Sequence, residues 1–242
     1  MPTIETPAPT AAASPAFADV EALKAGIREG VRGGARSDEP YRHWTIADIF
    51  DPATTAALAD LPFPAPELGG ISGARELHND TRRYFDPANI AAFPVCRQVA
   101  EAFQDPETVA LFEDATGADL EGCCLRIEYA QDLGGFWLKP HTDLGVKKLT
   151  LLVYLADEAG QEDLGTDIYR DAETWAKRSP FVRGAALLFV PSDRTWHGFE
   201  PRPFAGVRKS VIINYVTSEW RAREQLAYPD APVRAASIRR TA

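Results

Sequence analysis

Val207-Arg-Lys-Ser-Val-Ile-Ile-Asn-Tyr215 is the stretch from which the fold can be read. β-Branched and aromatic residues dominate it, as in a buried strand. Within it Arg208 and Ser210 stand two apart and share one strand face. A guanidinium fork beside a hydroxyl is suited to hold a carboxylate deep in a barrel. An inward-facing Arg without a partner is costly to bury, so its position implies an anion. The plainer alternative is an ion pair with one of the chain's 35 acidic residues.

Working outward, the second half of the chain repeats this texture. Leu125-Arg-Ile-Glu-Tyr129 alternates apolar and charged residues, the period of a half-buried strand. Leu149 to Leu155 and Ala185 to Val190 are further strands, separated by Gly- and Asp-rich loops at 132–135, 157–165 and 191–194. Short strands in succession, mostly without helices between them, predict an antiparallel sandwich or barrel such as a jelly roll.

The first half reads differently. Phe17, Val20, Leu23 and Ile27 recur at helical spacing, with Gly30, Gly33 and Gly34 expected to stop that helix. Asp51-Pro52, Asp86-Pro87 and Asp105-Pro106 each precede a run of helix formers. Asp at the N-cap accepts a backbone N–H, and Pro at the first helical position forfeits no hydrogen bond. Helices follow at about 52–60, 87–103 and 106–116. The expected fold is therefore α+β and mainly β: a jelly-roll (double-stranded β-helix) core flanked by N-terminal helices. The expected divisions are a flexible lead with a possible helix over 1–40, a helical layer over 41–118, a jelly-roll core over 119–220 and a tail over 221–242.

Composition excludes more than it selects. A net charge of -9 argues against nucleic acid as a partner, because binding a phosphate backbone needs clustered Lys and Arg. No stretch reaches the roughly 18 uncharged apolar residues of a membrane span. The start, MPTIETPAPTAAASPAF, has neither a basic region nor a long apolar one, so no secretory signal is expected. Cys96, Cys123 and Cys124 form no spaced framework and read as reduced thiols in a cytoplasmic protein.

The chain has four histidines, His43, His78, His141 and His197. His141 and Asp143 lie in Lys139-Pro-His-Thr-Asp143, and two positions apart on a strand they point the same way. His197 follows the strand Ala185 to Val190, in Thr195-Trp-His-Gly-Phe199. Two imidazoles and one carboxylate on one face of an iron(II) ion leave three coordination positions open. The plain reading keeps His141 and Asp143 as a surface pair and His197 as a core histidine. His43 and His78 read as ordinary polar residues, although the stretch Leu77 to Arg83 is polar enough to cover a pocket mouth. Trp137 and Lys139 share parity with His141, but core and surface roles suit them better.

As a set, His141-x-Asp143, His197 and, eleven residues later, Arg208-x-Ser210 resemble the iron(II)- and 2-oxoglutarate-dependent dioxygenases, especially their prolyl-hydroxylase-like branch. Lys148-Leu-Thr-Leu-Leu-Val-Tyr-Leu155, Gly165-Thr166 and Gly184-Ala-Ala-Leu-Leu-Phe-Val190 resemble segments of that branch, and the resemblance spans about residues 119 to 217. It implies iron(II) on His141, Asp143 and His197, and 2-oxoglutarate on Arg208 and Ser210, with O2 as second co-substrate. It also points to Tyr129 and Tyr154, where some relatives place a tyrosine on the same carboxylate. The implied reaction is hydroxylation of an unactivated C–H bond with release of succinate and CO2. A small-molecule substrate is favoured over a peptide. A cupin-type metal enzyme without 2-oxoglutarate and a non-catalytic jelly-roll binding module stay open.

Overall fold

The computed structural model describes residues 18–65, 73, 82–143, 145–156 and 159–236. His78 lies outside the described residues, as do most of the stretch around it and the flexible lead expected over 1–17.

The first helix, α1 (Val20–Gly33), is capped by Asp19, whose carboxylate accepts from Ala22 N at 2.9 Å. It runs through Gly30 and ends at Gly33, with Gly34 as its C-cap, as two of the three expected glycines require. A Cβ at Gly30 would stand 2.5 Å from the Asp48 carbonyl, so this glycine admits a close backbone approach and does not end the helix. Strands β1 (Ala35–Ser37) and β2 (His43–Ile46) follow, then α2 (Pro52–Ala59) and β3 (Arg83–Tyr84). The expected single helix over 87–103 is two, α3 (Pro87–Ala92) and α4 (Pro94–Gln104). Pro94 forces extended backbone on Phe93, and the helix restarts behind it. Helix α5 (Pro106–Thr116) ends at Gly117, which adopts φ +77°. All three Asp-Pro caps form: Asp51, Asp86 and Asp105 each accept backbone N–H groups of the helix that follows.

The strands of the second half are β4 (Cys124–Leu133), β5 (Leu138–His141), β6 (Lys147–Tyr154), β7 (Asp167–Tyr169), β8 (Trp175–Arg178), β9 (Ala186–Phe189), β10 (His197–Phe199) and β11 (Val207–Val216). They build two antiparallel sheets. The larger has the order β1-β2-β9-β6-β11-β4-β3, the smaller β5-β10-β7-β8. The range expected to be only helical thus contributes β2 and β3 to the larger sheet, and β1 joins its edge. All three are too short, at two to four residues, to show a period.

Alternation divides the larger sheet into two faces. Leu125, Ile127 and Tyr129 of β4, Leu149, Leu151 and Val153 of β6, and Val211, Ile213 and Tyr215 of β11 join the main core with α1, α4 and α5. The opposite face carries Leu152, Tyr154, Leu187 and Phe189, which cluster with Ile168 and Phe199 of the smaller sheet. The C-terminal tail packs back onto the protein over part of its length. Leu226, Ala227 and Val233 are buried, and Val233 N donates to Cys123 O at 2.7 Å.

Candidate active site

A cavity opens between the two sheets, lined among others by His141, Asp143, His197, Arg208 and Ser210. Register explains why these distant positions meet. His141 closes β5 and pairs directly with His197 at the start of β10, with ring centroids 4.4 Å apart. Asp143 lies just past the end of β5, not on it as the strand argument expects, and still reaches the same point. The candidate ligand atoms of the three side chains lie within 4.8 Å of one another.

Backbone carbonyls set the form of both imidazoles. Nδ1 of His141 lies 2.9 Å from Lys139 O, and Nδ1 of His197 lies 2.9 Å from Thr195 O. A carbonyl can only accept, so each Nδ1 carries the proton and each Nε2 keeps its lone pair for a metal. Asp143 is buried and oriented on both oxygens. Lys147 Nζ donates to Oδ1 and Thr150 Oγ1 to Oδ2, each at 2.8 Å. Neither Lys147 nor Thr150 is singled out by the sequence motifs. Thr150 lies on the inner face of β6 with Leu152, whereas Lys147 has the parity of Leu149 and reaches the cavity where the register with β11 shifts at the start of the strand.

Arg208 and Ser210 share the inner face of β11, as their parity requires. Arg208 is nevertheless not an unpaired inward cation. Its Nη1 donates to Asp132 Oδ2 and its Nε to Leu164 O, both at 2.6 Å. Among the described residues its Nη2 has no hydrogen-bond partner. Ser210 is fully buried, and among the described residues its Oγ has no hydrogen-bond partner either. A buried hydroxyl without a partner costs free energy, which an arriving acceptor would recover.

The two tyrosines do not reach this cavity. Tyr129 has the opposite parity to Ala130 and Asp132, so it packs against Phe63 and donates to Leu58 O at 3.0 Å on the helical side. Tyr154 is on the correct side of the sheet but is engaged behind the lining. Its hydroxyl lies 2.9 Å from Thr166 Oγ1 and 2.6 Å from Ser179 Oγ. His43 is buried behind Tyr41 and does not line the cavity. Trp137 instead packs its ring over Gly73, where a Cβ would stand 2.3 Å from it.

Charged residues that no motif marks complete the cavity wall. Asp132 bridges Arg208 and Arg82, accepting from Arg82 Nη1 at 2.6 Å. Arg82 Nε lies 3.3 Å from Glu128 Oε1, and Glu128 Oε2 accepts from Arg126 at 2.7 Å. Arg126, Glu128 and Asp132 alternate along β4, which is why that strand reads as charged.

No family model matches the chain. Among solved structures, it is similar to a prolyl 4-hydroxylase of Pseudomonas putida, at 16% identity and a TM-score of 0.53, covering 81% of this chain and 98% of that one. It is also similar to the viral collagen prolyl hydroxylase of Paramecium Bursaria Chlorella virus-1, solved as a 2-oxoglutarate complex, at 14% identity and a TM-score of 0.52, covering 72% of this chain and 96% of that one. The fold is that of the prolyl hydroxylases, and the His-Asp-His cluster faces its central cavity. Among curated proteins, the coproporphyrin III ferrochelatase of Nocardia farcinica is 34% identical over 98 residues, 40% of this chain. That match spans only 27% of the ferrochelatase.

Proposed function

We propose that this protein is an iron(II)- and 2-oxoglutarate-dependent oxygenase. In this reading it hydroxylates an unactivated C–H bond of a small molecule and releases succinate and CO2. One observation carries the proposal: a His-Asp-His cluster opens on the same cavity as a guanidinium and an unpartnered buried hydroxyl, on a prolyl-hydroxylase fold. The jelly-roll description of the two sheets belongs to the same reading.

The residues fit the absent groups. His141, Asp143 and His197 would hold iron(II) through two Nε2 atoms and a carboxylate, a donor set that leaves positions for other ligands. Arg208 and Ser210 would receive the far carboxylate of 2-oxoglutarate. The free Nη2 and the Ser210 hydroxyl offer two donors to its two oxygens. When bound, these groups and O2 supply the oxidising chemistry, and the protein contributes geometry, electrostatics and exclusion of water. Lys147 and Thr150 hold the Asp143 carboxylate in place, while Phe136, Leu138, Leu152 and Phe199 supply the apolar part of the cavity wall.

The Arg208–Asp132 pair gives a specific ground for a second reading, a cupin-type metal enzyme in which Arg208 is structural. Oxygen-dependent succinate formation separates the two. The oxygenase forms succinate from 2-oxoglutarate only with iron(II), and Asp143→Ala abolishes it. Metal-dependent turnover that ignores 2-oxoglutarate would establish the second reading.

A further inference from the structure

Asp143 is held by two donors of different kinds, and one of them suffices to aim it. Thr150 Oγ1 donates to Oδ2 at 2.8 Å and itself accepts from Asn214 Nδ2 at 3.2 Å, which turns the Thr150 proton toward the carboxylate. Asn214 is fully buried on β11 and pairs with Thr150 on β6, so a neutral relay from two neighbouring strands fixes Asp143. Lys147 Nζ adds a second bond, to Oδ1, at 2.8 Å. The side chains of Lys147 and Asp143 are 2% and 1% exposed, and both line the cavity.

Orientation by itself calls for no buried charge. An ammonium is costly to take out of water, and a neutral donor at the same point would orient Oδ1 as well. What Lys147 brings beyond a hydrogen bond is a full positive charge against one member of the His141-Asp143-His197 cluster. A carboxylate oxygen has two lone pairs, so Oδ1 and Oδ2 can each keep their donor and still offer a pair to a metal. Lys147 therefore need not leave when a divalent cation arrives. The two cations then share one carboxylate in a site shielded from solvent, where like charges repel more strongly than in water. Further contacts of Lys147 and Asp143 leave the sign of that repulsion unchanged.

We propose that Lys147 is a resident counter-cation of the metal site. It compensates the buried Asp143 carboxylate before the metal binds and then shares that carboxylate with it. Metal affinity is thereby set below what the two histidines and the carboxylate would give alone. Thr150 and Asn214 position the same ligand without opposing the metal. Removing the two donors should therefore have opposite effects. Loss of the Lys147 charge tightens metal binding and weakens the metal-free fold, which is left with a buried carboxylate lacking its cation. Loss of the Thr150 hydroxyl loosens the ligand and does not tighten binding. The inference rests on the metal assignment within the oxygenase reading and is independent of the co-substrate.

The test titrates the full chain with cobalt(II), whose visible absorption reports binding without oxygen chemistry, and follows thermal unfolding with and without the metal. Lys147→Met is expected to bind cobalt(II) roughly tenfold more tightly than the parent. Its metal-free Tm should fall, and saturating cobalt(II) should raise its Tm by more than it raises that of the parent. Lys147→Gln keeps a donor without the charge and should show the same tightening, which guards against a folding defect in the Met variant. Lys147→Arg, which restores the charge, should bind within about threefold of the parent. The proposal is overturned if the neutral Lys147 variants bind cobalt(II) no more tightly than the parent, or if Lys147→Arg or Thr150→Val shares their gain. A parent protein that gives no cobalt(II) spectrum, or one matched by Asp143→Ala, would instead remove the metal assignment beneath it.

Discussion

Arg208 Nη1 donates to Asp132 Oδ2 at 2.6 Å, and the two residues occupy paired positions on β11 and β4. Both are nearly inaccessible to solvent, and Asp132 holds Arg82 through its other oxygen. The proposed co-substrate anchor is thus positioned by a protein carboxylate before any ligand binds.

Removing that carboxylate should be severe. Asp132→Ala leaves two buried guanidiniums without their shared counter-charge, and breaking a buried pair in this way costs about 3–5 kcal/mol. Urea unfolding at neutral pH checks the figure. A loss below about 1 kcal/mol would mean that solvent or another acid compensates both cations.

Ser210→Ala should separate folding from binding. Among the described residues the hydroxyl has no partner, so its removal should leave stability unchanged or slightly raised. If Oγ donates to the co-substrate, the same variant should raise the KM for 2-oxoglutarate roughly five- to tenfold. A destabilised variant with an unchanged KM would place the hydroxyl in the fold and not in the site.

Tyr129→Phe should behave in the opposite way. It removes a buried hydrogen bond to Leu58 O and should cost about 1 kcal/mol in thermal or urea unfolding. The KM for 2-oxoglutarate should not move, because the side chain faces the helical layer. A raised KM without a stability change would return Tyr129 to the site.

Burial lowers the pKa of His43 below its ordinary value of 6.5, so the folded state binds a proton there less readily than the unfolded chain. Below pH 6.5 the unfolded state takes up that proton first, and the contribution of His43 to stability falls as pH drops through the folded value. The deficit of His43→Gln relative to the parent should therefore shrink between pH 7.5 and pH 5. Paired urea titrations at the two values measure it, and a deficit that grows on acidification would contradict this account of His43.

Much of the candidate site is legible because register and chemistry coincide on long strands. The ten residues of β11 display their parity openly, so Arg208 and Ser210 could be placed together from sequence. His141 and His197 could be assigned to one site by residue type and spacing, although their pairing across β5 and β10 is a fact of tertiary structure. Arg82, Asp132 and Lys147 were not legible, since an isolated charge in a sequence does not show which partner it will bury against. The resemblance points Tyr129 to the cavity, against the parity of its own strand. The alternation Leu125-Arg-Ile-Glu-Tyr129 already put it on the apolar face with Leu125 and Ile127. Strands β1, β2 and β3 escaped because such short segments take their conformation from the sheet they join.

The central claim is that His141, Asp143, His197, Arg208 and Ser210 form one metal and co-substrate site. Anaerobic titration of the protein with iron(II) and 2-oxoglutarate, in parallel with Arg208→Ala, tests it most directly. The account predicts a weak visible charge-transfer band in the parent protein and a markedly weaker one in the variant at equal 2-oxoglutarate. Iron demonstrably bound to the parent protein with no such band, or a band of equal strength in the variant, would contradict it.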